Sequence, residues 1–400
     1  MALGRDYRKL WLGNAAANFG DGISFVAIPL LATALTTDPL LIAGLSMVYS
    51  AVRFLTVLPV GVLVDRWDRK VILWISNLGR GVLLAVLAVT LAAHVGSILA
   101  LYVVFAALGV LETAADNAAL SILPSLVDTP DLDRANSQIA ATQLVADEFI
   151  GPPLGGLMFA VALSLPIAVT AGAYAAAAVL FMSVAGTFRV RQRRGRARSL
   201  VGDVREGAAW LGGHALLRSL AVISGLASVG YMMPFSILVL FAQDILGLDS
   251  VGYGVLLAAS AIGGLLGTVI AGPVRRKVGY PAVGAGSLLL GALSLLMIAL
   301  TSTAWIAGIF LATYIMHAVL FSVCVASLRQ RLVPEALRGR VNSVSKLFGL
   351  AGLAVGAGLG GALASGLGLA APFCAGSAVF VVCAIIAWPN LQKWQQSSAH

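Results

Sequence analysis

Charged residues are scarce in this chain of 400 residues. Only 11% of the residues are charged, whereas about a quarter are charged in an ordinary soluble domain. Long polar segments are scarce too: 60% of the residues are hydrophobic, and the mean hydropathy is +0.96. This composition excludes an ordinary soluble protein and predicts an integral membrane protein.

The sequence patterns of several enzyme and metalloprotein classes are missing. The cysteines Cys324, Cys374 and Cys383 all lie in apolar segments and lack the spacing of metal ligands. No Walker phosphate-binding loop occurs, so ATP is not expected to drive the protein directly. No nucleophile, histidine and acid stand in a catalytic pattern. We therefore expect no enzyme activity, no metal and no cofactor.

Apolar segments of about 20 residues or more recur from end to end, and each is long enough to cross a bilayer as a helix. The alternating pattern of a transmembrane barrel is absent. The start "MALGRDYRKL" is basic, but the apolar run after it is a full span and not the short core of a signal peptide, so no cleavable signal peptide is expected. The twelve predicted spans, numbered in chain order, are 11–35, 40–63, 71–93, 97–123, 136–160, 164–187, 216–244, 250–273, 279–301, 303–332, 341–365 and 369–389.

Lysine and arginine cluster in alternate loops, while the loops near 36–39, 94–96, 161–163, 245–249, 302 and 366–368 contain none. This asymmetry predicts a multi-pass protein of the cytoplasmic (inner) membrane with both termini in the cytoplasm. The net charge of +9 is interpreted as contact with anionic lipid headgroups, and nucleic acid is not an expected partner because the charge is scattered.

The two halves of the chain repeat each other. "LVDTPDLDRANS" from Leu126 is matched by "LVPEALRGRVNS" 206 residues later, and "GPPLGG" from Gly151 by "GAGLGG" 205 residues later. We predict an all-α membrane fold with two pseudo-symmetric six-helix halves, 1–187 and 216–400, joined by a cytoplasmic linker, 188–215. A ligand site is expected between the halves. "GAGLGG" lies in an apolar span, so it is interpreted as a stripe for close helix packing and not as a dinucleotide loop.

A short charged stretch, "GVLVDRWDRK", separates the second and third spans. It resembles the loop signature of the major facilitator superfamily, G-x-L-x-D-R-x-G-R-K, with Asp68 where glycine is usual. The signature positions matched here include Gly61, Asp65, Arg66, Arg69 and Lys70. This resemblance covers the whole chain and implies a monomeric secondary transporter that works by alternating access.

A narrower resemblance concerns "NFGDGI" in the first span, "ETAADNAALSILPSLV" in the fourth and "DRANS" before the fifth. These stretches resemble the drug:proton antiporter branch of macrolide-efflux and enterobactin-exporter proteins. The fifth span is similar to the antiporter motif G-x-x-x-G-P-x-x-G-G, with Asp147 at the earlier glycine and matches at Gly151, Pro152, Gly155 and Gly156.

The resemblance implies proton-coupled multidrug efflux of small amphiphilic drugs or natural products, and hence a part in antibiotic resistance. The alternatives are an exporter of a defined siderophore, lipid or metabolite, a facilitator or importer, and a membrane sensor that does not transport.

Charged residues within the predicted spans are the main candidates for function, because a charge at mid-membrane costs about 2.5–3.5 kcal/mol on insertion scales. Either these residues form structural ion pairs or one or two of them exchange protons. Asp21 and Glu148 are the leading proton or cation-substrate candidates. Asp147 is adjacent to Glu148 but points about 100° away, so only one of the two is expected to face a cavity. Glu112 is another candidate and could pair with Arg53. Arg80 is the second available cation. His317 is either a satisfied polar residue or a proton relay.

The family resemblance, together with the dipole of a helix, implies that the charged loop motif forms a latch. A tight turn at Gly61 would make the second and third spans close neighbours. Asp65 would then lie near the positive end of the eleventh span, expected to begin around Arg340 to Ser343, and hold the cytoplasmic side closed. The resemblance further implies that Arg69 pairs with Asp116. The alternative is that the motif only marks topology through its bases.

Overall fold

The computed structural model describes residues 3–189 and 200–397, except for the side chains of Asp65, Leu120, Leu200, Val201 and Ser397. The described residues are helical almost throughout and contain no strand. The α-helices in chain order are α1 (Arg5–Leu35), α2 (Pro39–Arg66), α3 (Arg69–Ala92), α4 (Ile98–Ile122), α5 (Leu132–Gln143), α6 (Gly151–Val161), α7 (Leu165–Met182), α8 (Leu200–Gly213), α9 (Ala215–Phe235), α10 (Leu238–Leu240), α11 (Ser250–Ala299), α12 (Ala304–Leu332), α13 (Glu335–Leu367) and α14 (Ala371–Ser397).

Within the described residues, 11 helical stretches are long and apolar enough to cross a membrane. The longest, α11, has 50 residues and bends at Gly279, where φ is +80°, a value that glycine adopts readily. A straight helix of that length would measure about 75 Å, more than twice the roughly 30 Å hydrocarbon core. We therefore count α11 as two spans, the eighth and ninth, and the predicted all-α membrane fold is confirmed.

Short polar side chains set the starts of several helices. Asp38 accepts a hydrogen bond from the amide of Leu40 at 2.8 Å, and Asp249 accepts one from the amide of Gly252 at 2.7 Å. The first amides of a helix have no partner in the helix itself, so a carboxylate at these positions satisfies them. These two acids therefore serve helix initiation at the starts of α2 and α11.

The described residues form two compact units. The first contains 3–37, 52–189 and 248–258, and the second contains 38–51, 200–247 and 259–397. The units follow the repeated halves of the sequence except at 38–51 and 248–258, each of which belongs to the unit built mainly from the other half. The domain boundaries predicted from the sequence remain a prediction.

Glycines bring helices of the first unit into backbone contact. A Cβ at Gly151 of α6 would lie 2.6 Å from the carbonyl carbon of Gly22 in α1, and a Cβ at Gly155 would lie 2.7 Å from the Ile23 oxygen. A Cβ at Gly156 would collide with the Ser250 carbonyl at the start of α11. The antiporter-like motif of the fifth span therefore packs α6 directly against two other helices.

The second unit has a matching stripe. Cβ atoms at Gly352, Gly356 and Gly360 of α13 would each meet a backbone carbonyl of α9, at 2.5 Å for Gly356 and the Val229 oxygen. The close packing predicted for this stripe is confirmed. The linker predicted at 188–215 contains helix α8, which packs on α13. The basic stretch within that linker, 190–199, lies outside the described residues.

Candidate functional site

Five ionisable side chains from four helices of the first unit form one connected cluster, which we call the charge cluster. Asp21 lies on α1, Arg53 on α2, Arg80 on α3, and Glu112 and Asp116 on α4. Arg80 bonds Asp21 and lies 3.4 Å from Glu112, and Arg53 bonds both acids of α4. Four of its members were candidate site residues from sequence, and Arg80 was the predicted extra cation.

Arg80 is the most buried member, with 4% of its side chain exposed. Its Nη2 atom donates to Asp21 Oδ1 and, at 2.7 Å, to the hydroxyl of Tyr174 on α7. That hydroxyl donates in turn to Asp21 Oδ1 at 2.6 Å, and the guanidinium lies 4.0 Å from the centre of the Tyr174 ring. Arginine suits this position because its planar head can bond acids and stack on an aromatic face at once. Tyr174 carries no charge, and its role was missed from the sequence.

Arg53 bridges the two acids of α4. Its Nη1 atom lies 2.7 Å from Glu112 Oε1, and its Nη2 atom lies 2.9 Å from Asp116 Oδ2. Residues four apart in a helix share one face, so a single guanidinium can reach both carboxylates. The predicted pairing of Glu112 with Arg53 is present. The pairing of Asp116 with Arg69 was wrong, because Arg53 occupies that carboxylate.

The charge cluster contains more acid than base. Three carboxylates face two guanidinium groups, so the fully ionised cluster has a net charge of −1 (two positive, three negative). A buried net charge is unfavourable unless a further positive charge joins it. The side chain of Asp21 is 28% exposed and that of Asp116 is 48% exposed, so both can be reached from outside the cluster. The arrangement can therefore accept a proton or a cation.

Asp147 and Glu148 lie in a π-helical stretch, Leu144–Ile150, between α5 and α6. The stretch runs into Pro152 and Pro153, which lack the N–H groups that the carbonyls of residues 148 and 149 would accept in an α-helix. Such widened turns are common at functional sites. Among the residues that the structure describes, neither Asp147 nor Glu148 forms a hydrogen bond or an ion pair, and the Glu148 side chain is exposed.

The backbone of Asp147 lies directly against α1. A Cβ at Gly22 would lie 2.5 Å from the Asp147 carbonyl oxygen and 2.8 Å from its Cα atom. The antiporter motif usually has glycine at position 147. Here Gly22 provides the smooth surface instead, so the close helix contact is kept while an acid is added beside the cluster.

The charged loop motif has a different local structure from the one predicted. Gly61 lies inside α2, with open space around the position of its missing side chain, so the expected tight turn there was wrong. The chain turns at Trp67 and Asp68 instead. Asp68 accepts a hydrogen bond from the Lys70 amide at 2.9 Å and thereby starts α3. Arg66 is the exposed last residue of α2.

Arg69 binds the end of α4. Its Nη1 atom donates to the carbonyl of Ser121 at 2.8 Å, one residue before that helix ends. A basic side chain is favourable there, because the last carbonyls of a helix have no partner within it. Arg69 therefore joins α3 to α4 through a backbone carbonyl, and not through the predicted pairing with Asp116.

The helix that was predicted to receive the latch begins earlier than expected. Helix α13 begins at Glu335, so Arg340 to Ser343 lie inside the helix and not at its positive end, as had been predicted. Arg340 instead pairs with Asp203 at 3.0 Å and with Glu206, both on α8. The side chain of Asp65 lies outside the described residues, so the latch stays a prediction.

His317 is a buried residue of the second unit. Its Nδ1 atom contacts the carbonyl oxygen of Tyr314, and its ring lies 4.8 Å from the rings of Tyr314 and Phe380. His317 lines a cavity of about 520 Å³ between α9, α12 and α13. Three basic side chains, Arg329, Arg338 and Lys346, line the same cavity. The sequence analysis did not identify this cavity.

Metal-ligating residues are not grouped in the described ranges: no three of His, Cys, Asp or Glu are placed to hold an ion.

Comparisons with known proteins give a family and a fold. The family model of the Major Facilitator Superfamily matches residues 10–350 and, in a second match, 220–392. No match was found among curated protein sequences.

Solved structures of several transporters resemble the chain. A mutant of the nucleoside transporter NupG has a TM-score of 0.82 at 11% identity, covering 96% of this chain and 100% of its own. A bacterial homologue of the iron transporter ferroportin, in an inward-facing state, has a TM-score of 0.75 at 19% identity. The match covers 98% of this chain and 99% of the homologue. The human organic anion transporter MFSD10 (TETRAN) has a TM-score of 0.65 at 16% identity, covering 96% and 99%. At these identities the similarity concerns the fold alone.

Proposed function

Because the chain belongs to the Major Facilitator Superfamily, we propose that it is a secondary active transporter that exports small amphiphilic drugs or natural products in exchange for protons. The observation that carries this proposal is the charge cluster, in which three carboxylates share two guanidinium groups. One surplus carboxylate can take up and release a single proton without any other change of charge in the cluster.

Asp21 is the proposed site of proton exchange within the cluster. Its carboxylate is partly exposed, while its partner Arg80 is almost fully buried. A proton on Asp21 would weaken its bond to Arg80 and leave that guanidinium to Glu112, 3.4 Å away. Protonation would thus rearrange contacts between α1, α3 and α4, which gives a physical link between proton binding and helix position.

Glu148 is proposed as a second proton or cation-binding group. It is exposed, has no partner among the described residues and stands in the widened turn before Pro152. An acid without an arginine partner lacks the positive charge that favours its ionised form, so it can hold a proton that an ion-paired acid would lose. The proposal assigns His317 no proton transfer, since its ring is buried among Tyr314, Phe380 and Gly291.

The proposed setting follows from the distribution of basic residues. We propose on this ground that both termini and the linker 188–215 lie in the cytoplasm and that the protein lies in the cytoplasmic membrane in contact with anionic lipids. A monomer is proposed from the family alone. The proton gradient across that membrane would supply the driving force. The known cargoes of the similar structures differ from one another, so they do not choose a substrate for this chain.

Transport into vesicles tests the proposal. The purified protein is placed in vesicles that hold a pH-sensitive dye, and a panel of cationic drugs, macrolides and siderophores is added in turn. We expect at least one compound to cause proton movement that protein-free vesicles lack. Exchange of a labelled compound without any proton movement would instead indicate a facilitator. Absence of both proton movement and exchange for every compound would contradict the proposal.

A further inference from the structure

The cavity of the second unit has an uneven distribution of charge. Its inner walls are apolar and include Leu217, Phe321 and Val325. Its other end has Arg329, half-buried on α12, and the exposed Lys346 on α13. Neither aspartate nor glutamate lines it. The cavity therefore combines a largely apolar part with a positively charged end.

Arg329 is the unusual group in this cavity. Its Nε atom is buried and has no hydrogen-bond partner, and within the described part of the chain the side chain forms no hydrogen bond or ion pair. Leaving a buried donor of a charged group without a partner is costly. The position of Arg329 is therefore better explained by a bound anion than by packing.

The other two cations of the cavity differ in how they are used. Arg338 donates to the carbonyls of Val333 and Gln330 at 3.3 and 3.2 Å and so caps the end of α12. Lys346 forms no hydrogen bond or ion pair with the residues described. Two cations, Arg329 and Lys346, thus remain for a ligand, from helices that are joined by a short turn.

We propose that this cavity binds an amphiphilic anion, with a carboxylate, sulfate or phosphate head between Arg329 and Lys346 and an apolar tail toward Phe321 and Val325. Arginine bonds such heads with two parallel N–H groups, and lysine adds a point charge. The volume of about 520 Å³ lies within the usual range of small-molecule sites. This proposal adds a ligand class to the proposed transport function. It rests on that function only in treating the ligand as a transported substrate.

Equilibrium binding tests the site without any gradient or transport. The full-length protein is placed in nanodiscs of phosphatidylcholine, and binding of radiolabelled dodecanoate is measured by scintillation proximity, with protein-free discs as background. Dodecyltrimethylammonium, which has the same tail and the opposite charge, is the competitor that reports charge selectivity. We expect saturable binding of dodecanoate that unlabelled dodecyl phosphate displaces and the ammonium compound does not.

Variants locate the binding. Arg329→Gln and Lys346→Gln should each raise the dissociation constant of dodecanoate about tenfold or more, as expected for a lost charge-assisted bond. Arg329→Lys should recover part of the loss. Arg331→Gln is the matched control, because it removes an exposed arginine two residues away that does not line the cavity. Thermal unfolding of each variant confirms that it is folded.

The source of the anion is distinguished by a second set of discs that contain phosphatidylglycerol. If that lipid lowers dodecanoate binding in the wild-type protein and in Arg331→Gln, but not the residual binding in Arg329→Gln, the natural occupant is a membrane lipid head. If it has no effect on any of the three proteins, the occupant is a free amphiphilic anion.

Equal competition by dodecanoate and the ammonium compound would overturn the proposal, as would unchanged binding in both Arg329→Gln and Lys346→Gln. These binding measurements need no proton movement. The anion site can therefore be refuted while proton-coupled transport is supported, and proton-coupled transport can be refuted while the anion site is supported.

Discussion

The carboxylate of Asp68 accepts a hydrogen bond from the backbone amide of Phe188 at 3.1 Å, across 120 residues of chain. The same side chain caps the start of α3 through the Lys70 amide, and it is buried. Asp68 is the position at which the loop motif departs from its usual glycine. The departure thus adds a bond between the turn before α3 and the segment that follows α7.

Replacing Asp68 with alanine should destabilise the protein. Loss of a helix cap costs about 0.5–2 kcal/mol, and here the Phe188 amide also loses its partner. We expect a lower midpoint of thermal unfolding for Asp68→Ala in detergent. Asp68→Asn keeps one oxygen acceptor, enough for one of the two amides, and should lose less stability. An equal loss in both variants would contradict the capping role.

Replacing Gly22 with alanine should separate α1 from the widened turn before α6. The added methyl group would lie 2.5 Å from a backbone oxygen of Asp147, so one of the two segments must move. Overpacking of this kind costs about 1–3 kcal/mol. Gly172→Ala is the matched control, because a Cβ there meets nothing within 4 Å. Thermal unfolding should show a loss for Gly22→Ala only, and equal midpoints would refute the close contact.

Removing Arg53 should destabilise the charge cluster more than removing it together with an acid. In Arg53→Gln, Asp116 loses its partner and Glu112 keeps only the longer contact to Arg80. Arg53→Gln combined with Asp116→Asn should regain part of the stability, with a coupling of about 0.5–3 kcal/mol. Unfolding midpoints of the two single variants and the double variant measure this coupling. Simple additivity would mean that the pair contributes nothing.

Neutralising the candidate proton sites should abolish proton-driven efflux while the protein still folds and inserts. We expect this result for Asp21→Asn and Glu148→Gln, in vesicles with an imposed pH gradient. Asp116→Asn removes the same charge from the cluster but leaves the contacts among Asp21, Arg80 and Tyr174, and it should retain some coupling. If Asp21→Asn and Glu148→Gln both transport at the wild-type rate, the coupling role moves to Glu112 and Asp147.

Cysteine labelling tests the orientation. In a background with the exposed Cys374 replaced by serine, single cysteines at Asp38 and Ser302 should react with an impermeant reagent added outside the cell. Cysteines at Gly195 and Glu335 should not react until the membrane is opened. The reverse pattern would overturn the predicted topology, because the assignment depends on the lack of lysine and arginine in the outer loops.

The spans were predictable from sequence because a membrane requires long apolar helices, and few other arrangements satisfy the backbone there. The pairing of Glu112 with Arg53 was predictable as well, since an unpaired charge in a span needs a partner and few were available. The partner of Asp116 was not, because arginines on two different helices were candidates and only packing decides between them. The motif resemblance predicted Arg69 as the partner of Asp116, but Arg69 bonds the Ser121 carbonyl.

The cavity of the second unit could not be read from the sequence. Arg329 lies near the end of α12 and Arg338 near the start of α13, in a basic stretch that marks topology, and Lys346 lies further along α13. Their common direction depends on how α12 and α13 pack on α9. A basic residue counted for topology can also have a second role, and its lack of an acidic neighbour in the folded chain is the signal that identifies it.

The position of Arg80 also constrains how the family around this protein can diverge. Its guanidinium contacts side chains from α1, α4 and α7 at once, so a replacement there leaves several partners unsatisfied. Substitutions at Asp21, Arg80 and Tyr174 should therefore arise together in descent, and a homologue that has lost one should have lost or exchanged the others. An alignment deep enough to detect covariation would show these three positions as one inherited group.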